Sequence, residues 1–295
     1  PGPTLCLTAA VHGDELNGIE IVRDVFYGLN PNNLSGVVMA VPIVNLQGFR
    51  RGQRYLPDRR DLNRYFPGNP KGSAASRIAH SLFHEVIRHC DFLVDLHTGS
   101  FRRTNLAQLR VDLTSESVAE LARKMGDIAI VHSVGSPGTL RRNAVEQGIP
   151  AVTLELGEPH FINGEAIVQG TRSIRTLIAS LGMEKIPGHR ETRSGPEFMN
   201  TRWVRTIEGG ILISRVRLGD NVKKGHVLGT VTDPITNVRH EVVSTYNGKV
   251  IGMALDQVMY PGYAAFHIGL RRSTRKTLED DLADEPGTYM GEAAP

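Results

Sequence analysis

The sequence predicts an α/β fold with a mixed, mostly parallel sheet and helices on both faces, followed by a small C-terminal all-β barrel or sandwich. Apolar, strand-like segments alternate with amphipathic helical segments through the first two-thirds of the 295-residue chain. Repeated strand–helix units with apolar strands are typical of a parallel sheet that is covered on both faces. Beyond residue 200, short β-type runs are separated by glycines, which indicates a small barrel or sandwich.

The strand and helix signals can be followed in order along the α/β part of the chain. Strand-like segments cover 3–11, 36–45, 91–97, 127–133 and 150–158. The segments that alternate with them cover 14–29, 73–89, 114–126, 139–148 and 165–182. Ser73 and Thr114 are residue types that cap helix N-termini, and Gly126 suits a helix end. A loop rich in Gly, Pro, Arg and Asn covers 46–72.

Shifts in composition divide the chain into four predicted parts. These are an α/β domain at 1–187, a linker at 188–199, a β-rich domain at 200–270 and a C-terminal tail at 271–295. The tail is charged and contains Gly and Pro, so we expect only part of it to be ordered.

The overall composition is that of an ordinary globular protein. Hydrophobic residues make up 40% of the chain and charged residues 22%. The net charge of +3 does not by itself indicate a nucleic-acid partner, and no apolar run reaches the roughly 20 residues needed to cross a bilayer. Cys6 and Cys90 are too few for a disulfide framework, so we expect buried, reduced thiols in a cytoplasmic protein. The chain begins without Met, which leaves a removed signal peptide open.

Two strand ends carry residues that can bind a metal. If the first helix begins at about Gly13, His12 and Glu15 lie at i and i+3 on one side of its first turn. His97 closes the third strand-like segment and would supply a third ligand from a neighbouring strand end. Three protein ligands with an open position for water are the pattern of catalytic zinc, and Asp95 is placed to orient an imidazole. The alternative is that the H-x-x-E spacing arises by chance and the histidines are solvated.

The loop at 46–72 suits the binding of a small anion better than the binding of nucleic acid. Six arginines fall within it: Arg50, Arg51, Arg54, Arg59, Arg60 and Arg64. No aromatic platform or basic helix accompanies them, and Asp58 and Asp61 interrupt the run, which disfavours nucleic acid. Arginine binds carboxylates through a planar, two-pronged contact, so Arg64 with the neighbouring Asn63 suits a small carboxylate substrate.

The fifth strand-like segment supplies a candidate general base. Its sequence, AVTLELGEP, places Glu155 between Leu154 and Leu156 and places Glu158 after the turn. A carboxylate in an apolar strand end has its pKa raised by desolvation, which suits proton abstraction from a water molecule. The two flanking leucines therefore favour Glu155 over Glu158 as the base.

Four motifs in this order resemble those of the aspartoacylase and succinylglutamate desuccinylase family. They are HGDE, DLNRYFPG, DLHTG and TLELGEP, and the resemblance covers about residues 3–181. The family is a branch of the zinc carboxypeptidase superfamily, so the resemblance implies a zinc carboxypeptidase-like α/β domain that binds one zinc ion through His12, Glu15 and His97. It further implies that Glu155 is the general base and acid, that Asn63 and Arg64 bind the substrate carboxylate, and that Arg54 polarises the scissile carbonyl.

The resemblance also implies an activity, namely hydrolysis of the amide bond of a small N-acyl amino acid. The RWVR segment and the following Gly-Gly pair resemble the branch that includes N-acetyl-diaminobutyrate deacetylases. Further candidates for substrate contact are Arg103, Asn105, Arg141 and Arg142. Alternatives left open are a zinc carboxypeptidase acting on peptides and a non-catalytic, metal-containing binding protein. We expect neither a nucleic-acid nor a membrane partner, and a homo-oligomer is left open.

The β-rich domain at 200–270 resembles biotin-carrier and lipoyl domains. Those domains carry a modified lysine on a hairpin between their two halves, whereas the corresponding segment here contains no lysine before Lys249. We therefore expect a scaffold or lid without an attached cofactor.

Overall fold

The computed structural model describes residues 2–185, 193–255 and 257–270. The predicted tail at 271–295 and positions 188–192 of the predicted linker lie outside these ranges. The α-helices of the described ranges are α1 (Asn17–Gly28), α2 (Leu46–Arg50), α3 (Ala74–Glu85), α4 (Glu116–Arg123), α5 (Leu140–Glu146) and α6 (Gly164–Ser180). Short 3₁₀ helices lie at Pro31–Asn33, Leu62–Arg64 and Ile87–His89.

Strands occupy much of the remaining described chain. In the first part they are β1 (Thr4–Ala9), β2 (Val37–Val41), β3 (Phe92–His97), β4 (Arg103–Val111), β5 (Ala129–His132), β6 (Ala151–Gly157) and β7 (Glu197–Phe198). In the C-terminal part they are β8 (Thr201–Arg205), β9 (Gly210–Ser214), β10 (Asn221–Val222), β11 (Val227–Thr232), β12 (Arg239–Val243), β13 (Gly248–Ala254), β14 (Val258–Met259) and β15 (Ala264–Leu270).

A mixed sheet, with eleven strands among the described residues, forms the centre of the molecule. Its main path runs β2-β1-β3-β6-β4-β13-β15-β8, with β10 beside β13, β5 beside β4 and β7 beside β5. Strands β2, β1, β3 and β6 are parallel to one another, and the register places Glu155 opposite His97. Because the carboxyl ends of parallel strands meet at one edge, the segments that follow β1 and β3 lie side by side there.

Helices cover both faces of this sheet, which confirms the predicted fold class. Helices α1, α4 and α6 pack on one face, and their buried residues share a core with β1, β3, β4 and β6. Helices α3 and α5 contribute to a second core on the opposite face. No helix in the described ranges combines the length and the apolar character needed to cross a membrane.

Strand β4 is a central element that the sequence analysis did not predict. It is antiparallel to β6 and parallel to β5, and it joins the N-terminal strands to the C-terminal ones. Ala107, Leu109 and Val111 belong to the core, whereas Asn105 and Arg110 approach the carboxylate of Glu155. Its many polar residues explain why no apolar strand signal marks this segment.

The C-terminal part is a β-sandwich, as predicted, but one of its layers continues the main sheet. An antiparallel sheet ordered β12-β11-β9-β14 packs over β8, β13 and β15, with a shared core that includes Leu212, Val231 and Phe266. Strand β13 pairs with β4 and places Gly252 opposite Asn105. The sheet therefore runs without a break between the two parts, and the division of the chain into domains stays a prediction.

The structure corrects the expected state of Cys6 and Cys90. We expected reduced thiols, whereas the structure pairs the two residues in a disulfide with their Cα atoms 5.9 Å apart. Cys6 lies in β1 and Cys90 lies just before the neighbouring β3, and both side chains belong to the core under α3. Adjacent strands thus bring together two residues that are 84 positions apart in sequence. The cytoplasmic location stays a prediction.

Gly18 provides a test of how closely α1 packs on the sheet. A Cβ atom at this position would lie 2.8 Å from the Cβ of Leu96 and 3.1 Å from the Cβ of Ala9. Alanine favours a helix over glycine by about 1 kcal/mol, but overpacking costs about 1–3 kcal/mol. We expect Gly18→Ala to lower the free energy of unfolding in urea. The control Gly164→Ala, at the exposed start of α6 with no atom within 4 Å of the added Cβ, should leave it unchanged or raise it. Equal stabilisation by both substitutions would contradict the close packing.

Candidate active site

The candidate site lies at the edge of the sheet where β1, β3 and β6 end. His12 and Glu15 follow β1, His97 is the last residue of β3, and Glu155 lies near the end of β6. The structure therefore brings to one edge the residues that the sequence analysis selected from three distant segments.

The turn that carries His12 and Glu15 is not helical, which corrects the predicted helix start at Gly13. Helix α1 begins at Asn17, and the Glu15 N–H instead donates to the carbonyl of His12 at 3.3 Å. The reason is tertiary packing at Gly13, whose N–H donates to the carbonyl of Arg54. A Cβ atom at Gly13 would lie 2.1 Å from the backbone of Gly48, so only glycine permits this approach.

Three buried side chains converge on one point. The Nδ1 atoms of His12 and His97 lie 3.2 Å apart, and each lies 2.8 Å from a different oxygen of Glu15. The second of these oxygens also accepts the N–H of Thr98 at 3.1 Å. Asp14, which lies between His12 and Glu15 in the sequence, has its carboxylate 3.6 Å from the imidazole of His160.

Each histidine has an acidic partner on its outer nitrogen. His97 Nε2 lies 2.8 Å from Asp95, whose other oxygen accepts the hydroxyl of Thr8 at 2.7 Å. His12 Nε2 lies 3.1 Å from Asp61. Asp95 was selected from the sequence because it lies two positions from His97 along one strand, whereas Asp61 was seen only as an acid interrupting the arginines. The signal that could have found Asp61 is its place in the DLNR motif.

The charges of these side chains shift the pKa of Glu15 and the pKa of His97 in opposite directions. Burial raises the pKa of Glu15, but the neighbouring His12 and His97 outweigh burial and hold that pKa well below its ordinary value. Burial lowers the pKa of His97, but Asp95 and Glu15 outweigh it and hold that pKa well above 6.5. The imidazoles thus compensate buried negative charge.

The same three side chains fit a metal ion. One ligand atom from each of His12, Glu15 and His97 lies within 4.8 Å of the other two, and all three residues are buried. Two inward-facing imidazole nitrogens at 3.2 Å can share at most one proton in a hydrogen bond between them, but both can donate lone pairs to a cation. Two nitrogens and a carboxylate form a donor set that zinc uses in catalytic sites, so this group can hold a metal.

Arg54 lies beside this group on the loop that follows α2. Its guanidinium donates to Glu15 Oε1 at 2.9 Å and lies 3.6 Å from Asp61. Its carbonyl accepts the side-chain amide of Asn45, and the whole residue is buried. The ring of Phe101 lies 4.9 Å from the guanidinium carbon.

Glu155 lies on β6 and is held by two residues of β4. Asn105 donates its side-chain amide to Glu155 at 3.0 Å, and the Arg110 guanidinium lies 3.6 Å from the other carboxylate oxygen. Glu158, the alternative base, accepts the hydroxyl of Thr104 at 2.8 Å. From the sequence, Asn105 was a candidate only for substrate contact, and no sequence signal marked Arg110.

Asn63 and Arg64 lie in the 3₁₀ helix that follows Asp61. The Asn63 side-chain oxygen accepts the N–H of Leu140 at 2.8 Å, which joins this loop to the start of α5. Arg64 donates to the carbonyl of Asn63 at 2.9 Å. Asn63 thus has a structural contact in addition to its predicted role.

The remaining arginine candidates separate into different environments. Burial, together with the charge of the nearby Arg110, lowers the pKa of Arg141 to about 10. Its Nη1 atom is buried and has no hydrogen-bond partner among the described residues. Arg142 instead pairs with Glu146 at 2.8 Å, and Arg103 packs over the ring of Trp203.

Comparison with known proteins agrees with this geometry. Residues 1–181 match the model of the succinylglutamate desuccinylase/aspartoacylase catalytic domain. The chain is 28% identical over 246 residues to the N-alpha-acetyl-L-2,4-diaminobutyric acid deacetylase of Halomonas elongata, an alignment that covers 79% of this chain and 71% of the relative.

Solved structures show the same fold along most of the chain. A succinylglutamate desuccinylase/aspartoacylase from Rhodobacter sphaeroides has a TM-score of 0.81 at 24% identity and covers 92% of this chain and 87% of its own. The product-bound ectoine utilization protein EutE (DoeB) from Ruegeria pomeroyi has a TM-score of 0.80 at 24% identity, with 92% and 86% covered. With the match over residues 1–181 and the His12, Glu15 and His97 group, the chain belongs to the succinylglutamate desuccinylase/aspartoacylase family and is a hydrolase of the deacylase type.

Proposed function

We propose that this protein is a zinc-dependent hydrolase that cleaves the amide bond of a small N-acyl amino acid. The observation that carries the proposal is the buried convergence of His12, Glu15 and His97 with Glu155 on the adjacent strand. A group that can hold a metal next to a carboxylate is the arrangement that metal-assisted hydrolysis requires.

We propose one zinc ion per chain, bound by His12, Glu15 and His97. A zinc ion held there supplies a Lewis acid that polarises a carbonyl and makes a water molecule acidic near neutral pH. Asp61 and Asp95 fix the orientation of the two imidazoles from outside, because each accepts from the outer ring nitrogen.

Glu155 serves as general base and acid in this proposal. It accepts a proton from the attacking water and later delivers that proton to the leaving nitrogen. Asn105 and Arg110 restrict where its carboxylate points, because they contact different oxygens of it.

Arg54 and the arginines near α5 serve the substrate in different ways. The Arg54 guanidinium, adjacent to Glu15, faces the negative charge that develops on the acyl oxygen. Asn63 and Arg64 hold the substrate carboxylate and so fix the amide relative to Glu155. Arg141 adds a buried positive charge with an unpaired Nη1 among the described residues, which suits the same carboxylate.

The relative from Halomonas elongata supports an N-acyl amino acid substrate because it is named as a deacetylase of such a compound. The decisive experiment joins metal analysis with a screen of N-acetyl, N-formyl and N-succinyl amino acids, measuring released amine. We expect one zinc per chain and turnover of members of this set. Release of C-terminal residues from peptides without turnover of N-acyl amino acids would favour the carboxypeptidase alternative instead.

Glu155→Gln tests the proposed base. We expect it to bind zinc in the same amount as the wild type and to lose about 10²–10⁴-fold in kcat, because the amide cannot accept the proton. The matched control is Glu158→Gln, which alters the contact with Thr104 and should retain most of the turnover. Wild-type turnover in the first variant, or the reverse order of the two effects, would contradict the assignment of Glu155.

Asp61→Asn and Asp95→Asn test the outer partners of the metal group. Loss of a carboxylate that orients a ligating histidine lowers metal affinity by about 10–100-fold, so we expect a drop of this size in competition with a chelator. Asp58→Asn is the control, since Asp58 lies in the same loop as Asp61 but pairs with the exposed Arg60. Unchanged affinity in both test variants would show that the acids do not support the ligands.

A further inference from the structure

The segment Gly99–Arg102 connects the end of β3 to the start of β4 and is anchored at both ends. The Gly99 N–H donates at 2.9 Å to the carbonyl of Gly157, the last residue of the strand that carries Glu155. The carbonyl of Arg102 accepts the N–H of Leu255 from the C-terminal part at 2.7 Å. The segment is thus tied to both sides of the candidate site.

The backbone of this segment is held in a conformation that non-glycine residues rarely adopt. Phe101 and Arg102 have φ angles of 49° and 60°, in the left-handed region. Such a conformation persists only where the surroundings hold it, and it is common at functional sites. In this segment, the left-handed conformation accompanies a Phe101 ring that lies next to the buried guanidinium of Arg54.

The ring of Phe101 closes one side of the Arg54 guanidinium. The guanidinium carbon lies 4.9 Å from the Phe101 centroid and 5.8 Å from the Tyr55 centroid, and the two rings lie 6.2 Å apart. Glu15 and Asp61 lie on other sides of the same guanidinium. The guanidinium of Arg54 is therefore flanked by aromatic rings and by carboxylates.

We infer that Phe101 determines the acyl specificity of the enzyme and restricts it to small, uncharged acyl groups. This inference rests on the proposed function, in which Arg54 faces the acyl oxygen. The substituent on the acyl carbon then lies beside Arg54, where the Phe101 ring limits its length. A carboxylate on that substituent would lose its hydration against the apolar ring, while the charge of Arg54 is already paired with Glu15 and Asp61, so a succinyl group is disfavoured.

The expected change in acyl-chain preference can be judged from the free energy that a methylene group contributes in an apolar pocket. One methylene group more or less in an apolar pocket changes kcat/KM by about 10–200-fold. Removing the ring of Phe101 opens space for several methylene groups, so the preference for a short acyl chain should fall by at least about tenfold.

The test compares Phe101→Ala with the wild type on N-acetyl, N-butyryl and N-succinyl derivatives of one amino acid that the wild type accepts. We expect the wild type to prefer the acetyl derivative. We expect Phe101→Ala to lower the acetyl-to-butyryl ratio of kcat/KM by at least about tenfold, with an absolute gain on the butyryl derivative. Phe26→Ala is the matched control, because Phe26 is 41% exposed on α1 against 38% for Phe101. It should leave the ratio unchanged.

The outcomes separate this inference from the function on which it rests. An unchanged ratio in an active Phe101→Ala variant would overturn the role of Phe101 and leave deacylation intact. Failure of the wild type to release amine from any N-acyl amino acid would overturn the proposed function. If Phe101→Ala is inactive on all three derivatives, Phe101→Leu decides: a smaller shift in the same direction supports the inference, and an unchanged ratio overturns it.

Discussion

The rest of the site depends on the buried carboxylate of Glu15. It lies within hydrogen-bonding distance of His12, His97, Arg54 and the backbone N–H of Thr98, which belong to three separate segments of the chain. A buried carboxylate without such partners costs several kcal/mol, since it loses its hydration. The turn after β1, the loop that carries Arg54 and the end of β3 must therefore assemble together, and Glu15 couples the packing of these segments to the geometry of the site.

The charge balance around Glu15 connects metal binding to proton release. Glu15, Asp61 and Asp95 surround two imidazoles, and the raised pKa of His97 reflects the positive charge that this arrangement favours. A cation bound through the inward Nδ1 atoms would require neutral imidazoles, so its binding would displace protons. The outer carboxylates would still accept from the Nε2 atoms and keep the orientation of both rings.

The sequence was sufficient to predict the fold class. It was also sufficient to predict that His12, Glu15 and His97 come together, because strand ends in a parallel sheet meet at one edge. It was insufficient where tertiary contacts decide local structure. The turn before α1 is not helical because Gly13 packs on the backbone of Gly48, a contact that no local pattern reveals. Strand β4 escaped prediction because one side of it consists of polar residues such as Asn105, which serve the site rather than the core.

Strand β4 also links the C-terminal part to the candidate site. Its residues Asn105 and Arg110 hold the Glu155 carboxylate, and its first residues pair with β13 from the C-terminal part. The Phe101 segment is tied to the same region through the bond from Leu255 to Arg102. The positions of the candidate base Glu155 and of the Phe101 ring beside Arg54 thus both depend on one continuous sheet. Separating β13 from β4 would expose ladder hydrogen bonds and disturb the support of Glu155.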